Sequence, residues 1–262
     1  MPAQGAADFL QFLQQELVPS IDQRYRTQPY RLLMGHSLAG LFALYAKEKA
    51  PSLFQSTILI SPALTVTPKV LADFKPLLEQ HPQLSGKLFV AIGNENTEKV
   101  DSLMQQLTVA APKSFQWHYQ QYKAENHFSV PVPSMGDALK FVYATWFLDY
   151  YATTRLSYSD IQAHFAALSQ EFGYPIAPTE DVVNNRGYRQ LRLGNVTEAV
   201  GIFKQNVINH PASANAYDSL GEAYLKQGKK SLAISSYQKS IALNPANENA
   251  RAVLQKLTVR AK

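Results

Sequence analysis

The 262-residue chain contains no cysteine. Disulfides, thiolate metal sites and cysteine nucleophiles are thereby excluded. It has no apolar run near the roughly 18–20 residues that cross a bilayer, so no membrane-spanning helix is expected. The N-terminus, MPAQGAADFLQFLQQEL, lacks a basic start followed by a long apolar region and does not read as a signal peptide. The sequence has no glycine-rich phosphate loop and no His/Asp spacing of a metal site, so no cofactor and no metal are expected. Charged residues are sparse at 17%, against 46% hydrophobic ones. That balance excludes disorder by composition and supplies a sizeable core. The compartment stays open between cytoplasm and periplasm.

Charge is unevenly spread within a net +5. From residue 180 onward there are 12 Lys and Arg against 6 Asp and Glu, whereas the first 179 residues carry 13 against 14. A basic tail can attract nucleic acid. These lysines are dispersed and lack the interleaved aromatics that stack bases, so the expectation is a solvated helical surface and no nucleic-acid partner.

Up to about residue 150, helical and strand patterns alternate. ADFLQFLQQELV has helical apolar spacing, and Pro19 is expected to end it. YRLLMG (30–35), STILISP (56–62) and KLFVAIG (87–93) are short apolar runs closed by Gly or Pro, the signature of buried parallel strands. SFQWHYQQY (114–122) is more polar and is expected nearer a sheet edge. Helical patterns fall at about 39–49, 69–80, 97–110 and 134–151. Together these predict an α/β fold with a parallel sheet over residues 1–151. Residues 152–179 read as a bridge with one helix, stopped by Gly173 and Pro175, and His164 is expected on that helix's surface.

From residue 180 no strand signal remains. A self-comparison at a shift of 34 aligns Gly187 with Gly221, Ala199 with Ala233, Phe203 with Tyr237 and Pro211 with Pro245. The second unit fits the tetratricopeptide helix-turn-helix pattern at Tyr217, Leu220, Gly221, Tyr224, Ala233, Tyr237 and Pro245. The first unit is weaker, with Arg186 and Gln190 where apolar residues are expected. ENARAVLQKLTV (248–259) reads as a capping helix. Residues 180–262 are thus expected to form two repeats and a cap, packed on the bridge helix or the α/β part, with a groove for a protein partner. The sequon at Asn195 sits in a repeat turn and reads as coincidence.

The stretch LLMGHSLAGLFAL (32–44) bears the chemistry. A strand, then Gly-x-Ser-x-small-Gly, then a helix is the setting of a nucleophile elbow, in which a strained turn projects the serine hydroxyl. Ser37 is the candidate nucleophile, and the Leu38 N–H, opening the helix, is the candidate oxyanion donor. The alternative is a turn serine that caps the helix. A nucleophilic serine needs a base, and the base an orienting carboxylate. In this fold the chain order is Ser, acid, His. His127, in the late loop KAENHFSVPVPS, is the candidate base. His36, His81, His118 and His210 fit less well. Glu95, just past the third strand, is the preferred acid. Glu98, Asp101 and Glu125 remain alternatives, as does a dyad with no acid.

The segments GHSLAGLFAL, LISPAL, AIGNEN and ENHFSV resemble the serine esterase family of α/β-hydrolases, of the esterase D and siderophore-esterase type. Members with a tetratricopeptide tail carry a similar bridge, SDIQAHFAALSQEFGYPI, and a similar repeat, NAYDSLGEAYLKQGKKSLAISSYQKSIALNP. The resemblance covers essentially the whole chain. It implies hydrolysis of a small-molecule carboxylic ester through an acyl-serine intermediate, with Ser37 as nucleophile and His127 as base. It supports Glu95 loosely, because the acid position varies in the family.

The resemblance also exposes a departure. Such hydrolases are similar in having an eight-stranded sheet with well over a hundred residues before the elbow, which here arrives at residue 35. The early strands are expected to be missing, with the loop that supplies a second oxyanion N–H. Losing one such donor typically costs roughly 10²–10³ in rate. The elbow strand is left with a bare apolar edge that invites pairing. The expectation is a homodimer through that edge, a fragment of a longer gene product, or a catalytically impaired relic serving as an interaction module.

Overall fold

A computed structural model describes residues 3–146, 148 and 156–259. The chain divides into two units, Met1–Phe147 and Leu148–Lys262.

The first unit is an α/β fold built on a four-stranded sheet. Strands β1 (Leu32–His36), β2 (Ser56–Ile60), β3 (Gly86–Ile92) and β4 (Phe115–Gln121) lie in the order β1-β2-β3-β4. All three pairings are parallel, with Leu32 opposite Ser56, Ser56 opposite Lys87 and Lys87 opposite Gln116. Helices α3 (Leu38–Lys49), α4 (Pro68–Gln80) and α5 (Glu98–Ala110) make the crossovers, and α6 (Pro131–Val142) follows β4. Burial follows sheet position. Every residue of central β2 is buried, whereas β4 alternates, as an edge strand does.

The period-two alternation of the strands divides the core. Leu59, Leu88, Val90 and Ile92 face a cluster with Leu44 of α3, Phe74 of α4 and Leu103 of α5. Ile58, Ile60, Phe89 and Ala91 face the opposite way, against Val130, Ala138 and Val142. Outside α3, Leu10 and Leu13 pack on Phe42, Ala46 and Phe54. Lys47 of α3 is buried, with Nζ donating to the carbonyls of Pro51 and Phe54 at 2.9 Å each. Burial pushes its ammonium down to about 8.

Two helices depart from expectation. Pro19 does not end the first helix. Helix α1 (Ala3–Phe12) runs into a π turn at Leu13–Leu17, then into α2 (Val18–Arg24), with Pro19 in the first turn of α2. The widened turn interrupts the regular ladder where the proline ring and its missing N–H would break it. Helix α6 starts at Pro131 rather than 134, because the first turn needs no N–H donors and accepts Pro131 and Pro133. It ends at Val142. Residues 147 and 149–151 of the expected helix lie outside the described residues.

The second unit is helical among its described residues. Helix α7 (Tyr158–Phe172) opens with a reciprocal capping box between Ser157 and Asp160 and closes at Gly173. His164 is half-buried rather than on the open surface, its ring edge-on to Phe165. Then come α8 (Glu180–Arg192), α9 (Val196–Asn209), α10 (Ala214–Lys226), α11 (Lys230–Leu243) and α12 (Glu248–Val259). The 34-residue offset has a packing cause. A Cβ on Gly187 would come within 2.5 Å of the Phe203 ring, and one on Gly221 within 3.0 Å of the Tyr237 ring. In each pair of helices, one glycine admits one aromatic. Gln190 is buried but satisfied: its amide donates to Glu198 and its carbonyl accepts from Asn195. His210 Nε2 lies 3.0 Å from the Pro178 carbonyl and ties the segment after α7 to the repeats.

Candidate active site

The site lies at the C-terminal ends of the parallel strands, where open α/β sheets bind ligands. The chain leaves β1 at His36, makes one turn at Ser37 and enters α3 at Leu38. Ser37 has φ 58° and ψ −118°, a strained backbone for a residue with a side chain. The turn is pinned from both sides. The Ser37 N–H donates to the Ile60 carbonyl at 2.9 Å, and the Ser37 carbonyl accepts from the Ala63 N–H at 3.1 Å. Small residues are obligatory here: a Cβ on Gly35 would lie 2.0 Å from the Ala39 carbonyl oxygen, and one on Gly40 3.1 Å from Pro62 Cα. The Ser37 hydroxyl makes no cap hydrogen bond to α3. A capping role therefore does not explain this serine. Leu38 is the first residue of α3, where N–H groups have no acceptor within the helix.

The other residues come from the loops after β3 and β4. These loops are joined through main-chain bonds, Asn94 N–H to the Glu125 carbonyl at 2.8 Å and Tyr122 N–H to the Ile92 carbonyl at 2.8 Å. The Asn126 side chain accepts from the N–H groups of Phe128 and Ser129, which turns the chain around His127. As a result His127 Nδ1 and Glu95 Oε2 meet at 2.7 Å. Burial pushes the Glu95 carboxyl upward. Hydrogen bonds from Ser61 and His127, charge at His127 and the Gly93 main chain outweigh that and hold it below the usual glutamate value.

The other candidate acids make no hydrogen bond to His127, although Glu98 borders the same cavity as Glu95. Glu98 pairs with Lys99 on the surface of α5, and Asp101 accepts from Thr97. Glu125 contributes its main-chain carbonyl to the loop junction. Among the histidines, His118 stacks between Phe89 and Phe141. His36 is no nearer to being the base, but its Nε2 lies 2.8 Å from the His127 carbonyl and its ring packs on the His127 ring at 4.7 Å. This contact brings the Ser37 turn and the His127 loop together. Among the described residues Ser37 and His127 are not hydrogen-bonded to each other.

Ser61 escaped the sequence reading. It follows β2, and its hydroxyl donates to Glu95 Oε1 at 2.5 Å. Only the motif LISPAL marked the segment, and a serine after a strand carries no signal of its partner 34 residues away. A cavity of about 360 Å³ adjoins this cluster, walled by Ser61, Thr65, Ile92, Glu95, Asn96 and His127. Phe128, beside the histidine, is 86% exposed. Among the described residues there is no group of three or more His, Asp or Glu placed to hold a metal, and no helix long and apolar enough to cross a membrane.

The model of the family described as Putative esterase matches residues 2–140, over half of the chain. The chain belongs to that family. The tetratricopeptide repeat model matches residues 214–247. The ferri-bacillibactin esterase BesA of Bacillus subtilis (strain 168) is 27% identical over 148 residues, 52% of this chain and 51% of that protein. The chain thus spans about half the length of that relative. The crystal structure of an IroE-like serine hydrolase from Shewanella oneidensis superposes with a TM-score of 0.59 at 25% identity, covering 72% of this chain and 63% of that one. Ester hydrolysis is therefore the family's chemistry, and the α/β fold is shared with a solved serine hydrolase.

Proposed function

We propose that the chain is a serine hydrolase of the α/β-hydrolase superfamily, with Ser37 on a nucleophile elbow, His127 as base and Glu95 as orienting carboxylate. The observation that carries this reading is the 2.7 Å contact between Glu95 Oε2 and His127 Nδ1. A carboxylate there accepts the Nδ1–H and leaves Nε2 as the unprotonated nitrogen. Ser37 Oγ attacks the ester carbonyl carbon while its proton passes to Nε2. The Leu38 N–H stabilises the oxyanion. Collapse of the tetrahedral intermediate breaks the bond to the alcohol oxygen, which takes the proton from Nε2 and departs. Water then attacks acyl-Ser37 by the same route, releasing the acid and restoring Ser37.

The substrate is a small-molecule carboxylic ester. The name of the Bacillus relative supports ferric-siderophore esters as the first class to test. The test is hydrolysis of a nitrophenyl acyl-ester series and of ferri-bacillibactin by the wild type and by Ser37→Ala and His127→Ala. The reading predicts turnover that both substitutions abolish, and turnover surviving Ser37→Ala contradicts it.

In this reading residues 1–151 form the hydrolase part, 152–179 a helical bridge, and 180–262 two repeats with a cap. The match over 214–247 favours a second role for that tail, binding a protein partner in its groove. The β1 edge, with no strand beyond it among the described residues, supports pairing with a second copy, which sedimentation velocity tests.

A further inference from the structure

Ser61 stands on an unusual backbone and meets the Glu95 oxygen that His127 leaves free. It is 2% exposed and has φ 40°, in the left-handed region that residues with side chains seldom adopt. Its N–H donates to the Ala91 carbonyl at 2.8 Å, which fixes the main chain, and its hydroxyl donates to Glu95 Oε1 at 2.5 Å. Both carboxylate oxygens are thus held, one by Ser61 and the other by His127. A glutamate has more rotatable bonds to order than an aspartate. Glu95 also forms part of the wall of the 360 Å³ cavity, so the carboxylate has space into which to swing. A second hydrogen bond, from the buried Ser61, removes that freedom.

We infer that Ser61 is a positioning residue that acts through Glu95, clamping its carboxylate so that Oε2 faces His127 Nδ1. This inference rests on the serine hydrolase reading above. Backbone strain at a residue whose hydroxyl meets the acid is the pattern expected where geometry is held for function. Two hydrogen bonds to one carboxylate also favour its ionised form, which can accept but not donate at Nδ1.

The test uses the full chain with Ser61→Ala, Ser61→Gly, Glu95→Gln and the Ser61→Ala/Glu95→Gln double variant. Steady-state hydrolysis of nitrophenyl acetate is measured, together with the low-field proton resonance of His127 Nδ1–H, identified by its loss in Glu95→Gln. Ser61→Ala and Ser61→Gly each lower kcat roughly tenfold with little change in KM, as expected for the loss of one hydrogen bond to a charged group. In the Glu95→Gln background the loss of Ser61 adds less than about twofold, because its target is already gone. The resonance moves upfield and exchanges faster with water in Ser61→Ala. Multiplicative losses in the double variant overturn the inference. So does a Ser61→Gly variant at the wild-type rate, which would make the backbone and not the hydroxyl responsible, or an unmoved resonance. If the wild type shows no Ser37-dependent turnover, the hydrolase reading fails, and the resonance alone still decides whether Ser61 orients the Glu95–His127 pair.

Discussion

Glu95 and His127 are hydrogen-bonded at 2.7 Å although they lie 32 positions apart, with helix α5 and strand β4 between them. The contact depends on two loops that meet through main-chain bonds, and on parallel strands β3 and β4 that end side by side. Local sequence preference cannot bring such a pair together. The sheet does it by placing its strand ends at one edge.

Removing the acid tests its assignment. Glu95→Gln keeps the shape but not the charge, and lowers the rate of Ser37 acylation by about 10²–10³. Glu98→Gln and Asp101→Asn, on the surface of α5, stay within about twofold of wild type. Stopped-flow acylation with an activated ester makes the comparison. A greater loss at Glu98 or Asp101 than at Glu95 contradicts the assignment.

Acid stability carries a signature of the same residue. The folded protein holds Glu95 below its ordinary value of 4.5, so the unfolded chain binds its proton first as pH falls. The stabilisation is present above the unfolded value and is lost as pH drops through the folded one. In Glu95→Gln this loss is absent, and the acid limb of thermal stability becomes shallower. Melting curves at intervals below about pH 6 check this. Parallel limbs in the two proteins contradict it.

Lys47 acts at the other end of the pH scale. Its ammonium is pushed from 10.5 down to about 8 by burial, so between those values the unfolded chain binds more protons than the folded one. Stability contributed by this site therefore rises with pH across that interval, by an amount on the order of 3 kcal/mol in full. Chemical denaturation between pH 8 and 10 shows a positive slope that Lys47→Met removes. A slope unchanged by the substitution contradicts the account.

The two aligned glycines differ in how little room they leave. An alanine at 187 meets the fully buried Phe203 ring at 2.5 Å, and one at 221 meets the Tyr237 ring at 3.0 Å. Both substitutions destabilise the helical unit by about 1–3 kcal/mol, Gly187→Ala the more. Urea titrations of the two variants measure the difference. Equal or reversed effects contradict the packing argument.

Much of the fold was legible because its signals are local. Apolar runs closed by Gly or Pro marked three strands and a polar–apolar alternation the fourth, all to within two residues, and the 34-residue repeat marked glycine–aromatic pairs that the helices require. Pro19 misled because proline usually ends a helix, and the π turn that accommodates it has no signature in the sequence. Within the site, the spacing around Ser37 and the chain order pointed to Glu95 and His127. Ser61 and His36 were not legible in the same way. Each contributes one polar contact to a residue far along the chain, and neither residue type is rare enough after a strand to announce it.

The central claim is that this chain carries an activated serine at position 37. Fluorophosphonate labelling of the purified full chain, read by intact mass and peptide mapping beside Ser37→Ala, tests it without knowledge of the substrate. The account predicts one label per chain on Ser37, absent from the variant. A folded wild-type chain that stays unlabelled, or one labelled equally after Ser37→Ala, contradicts it.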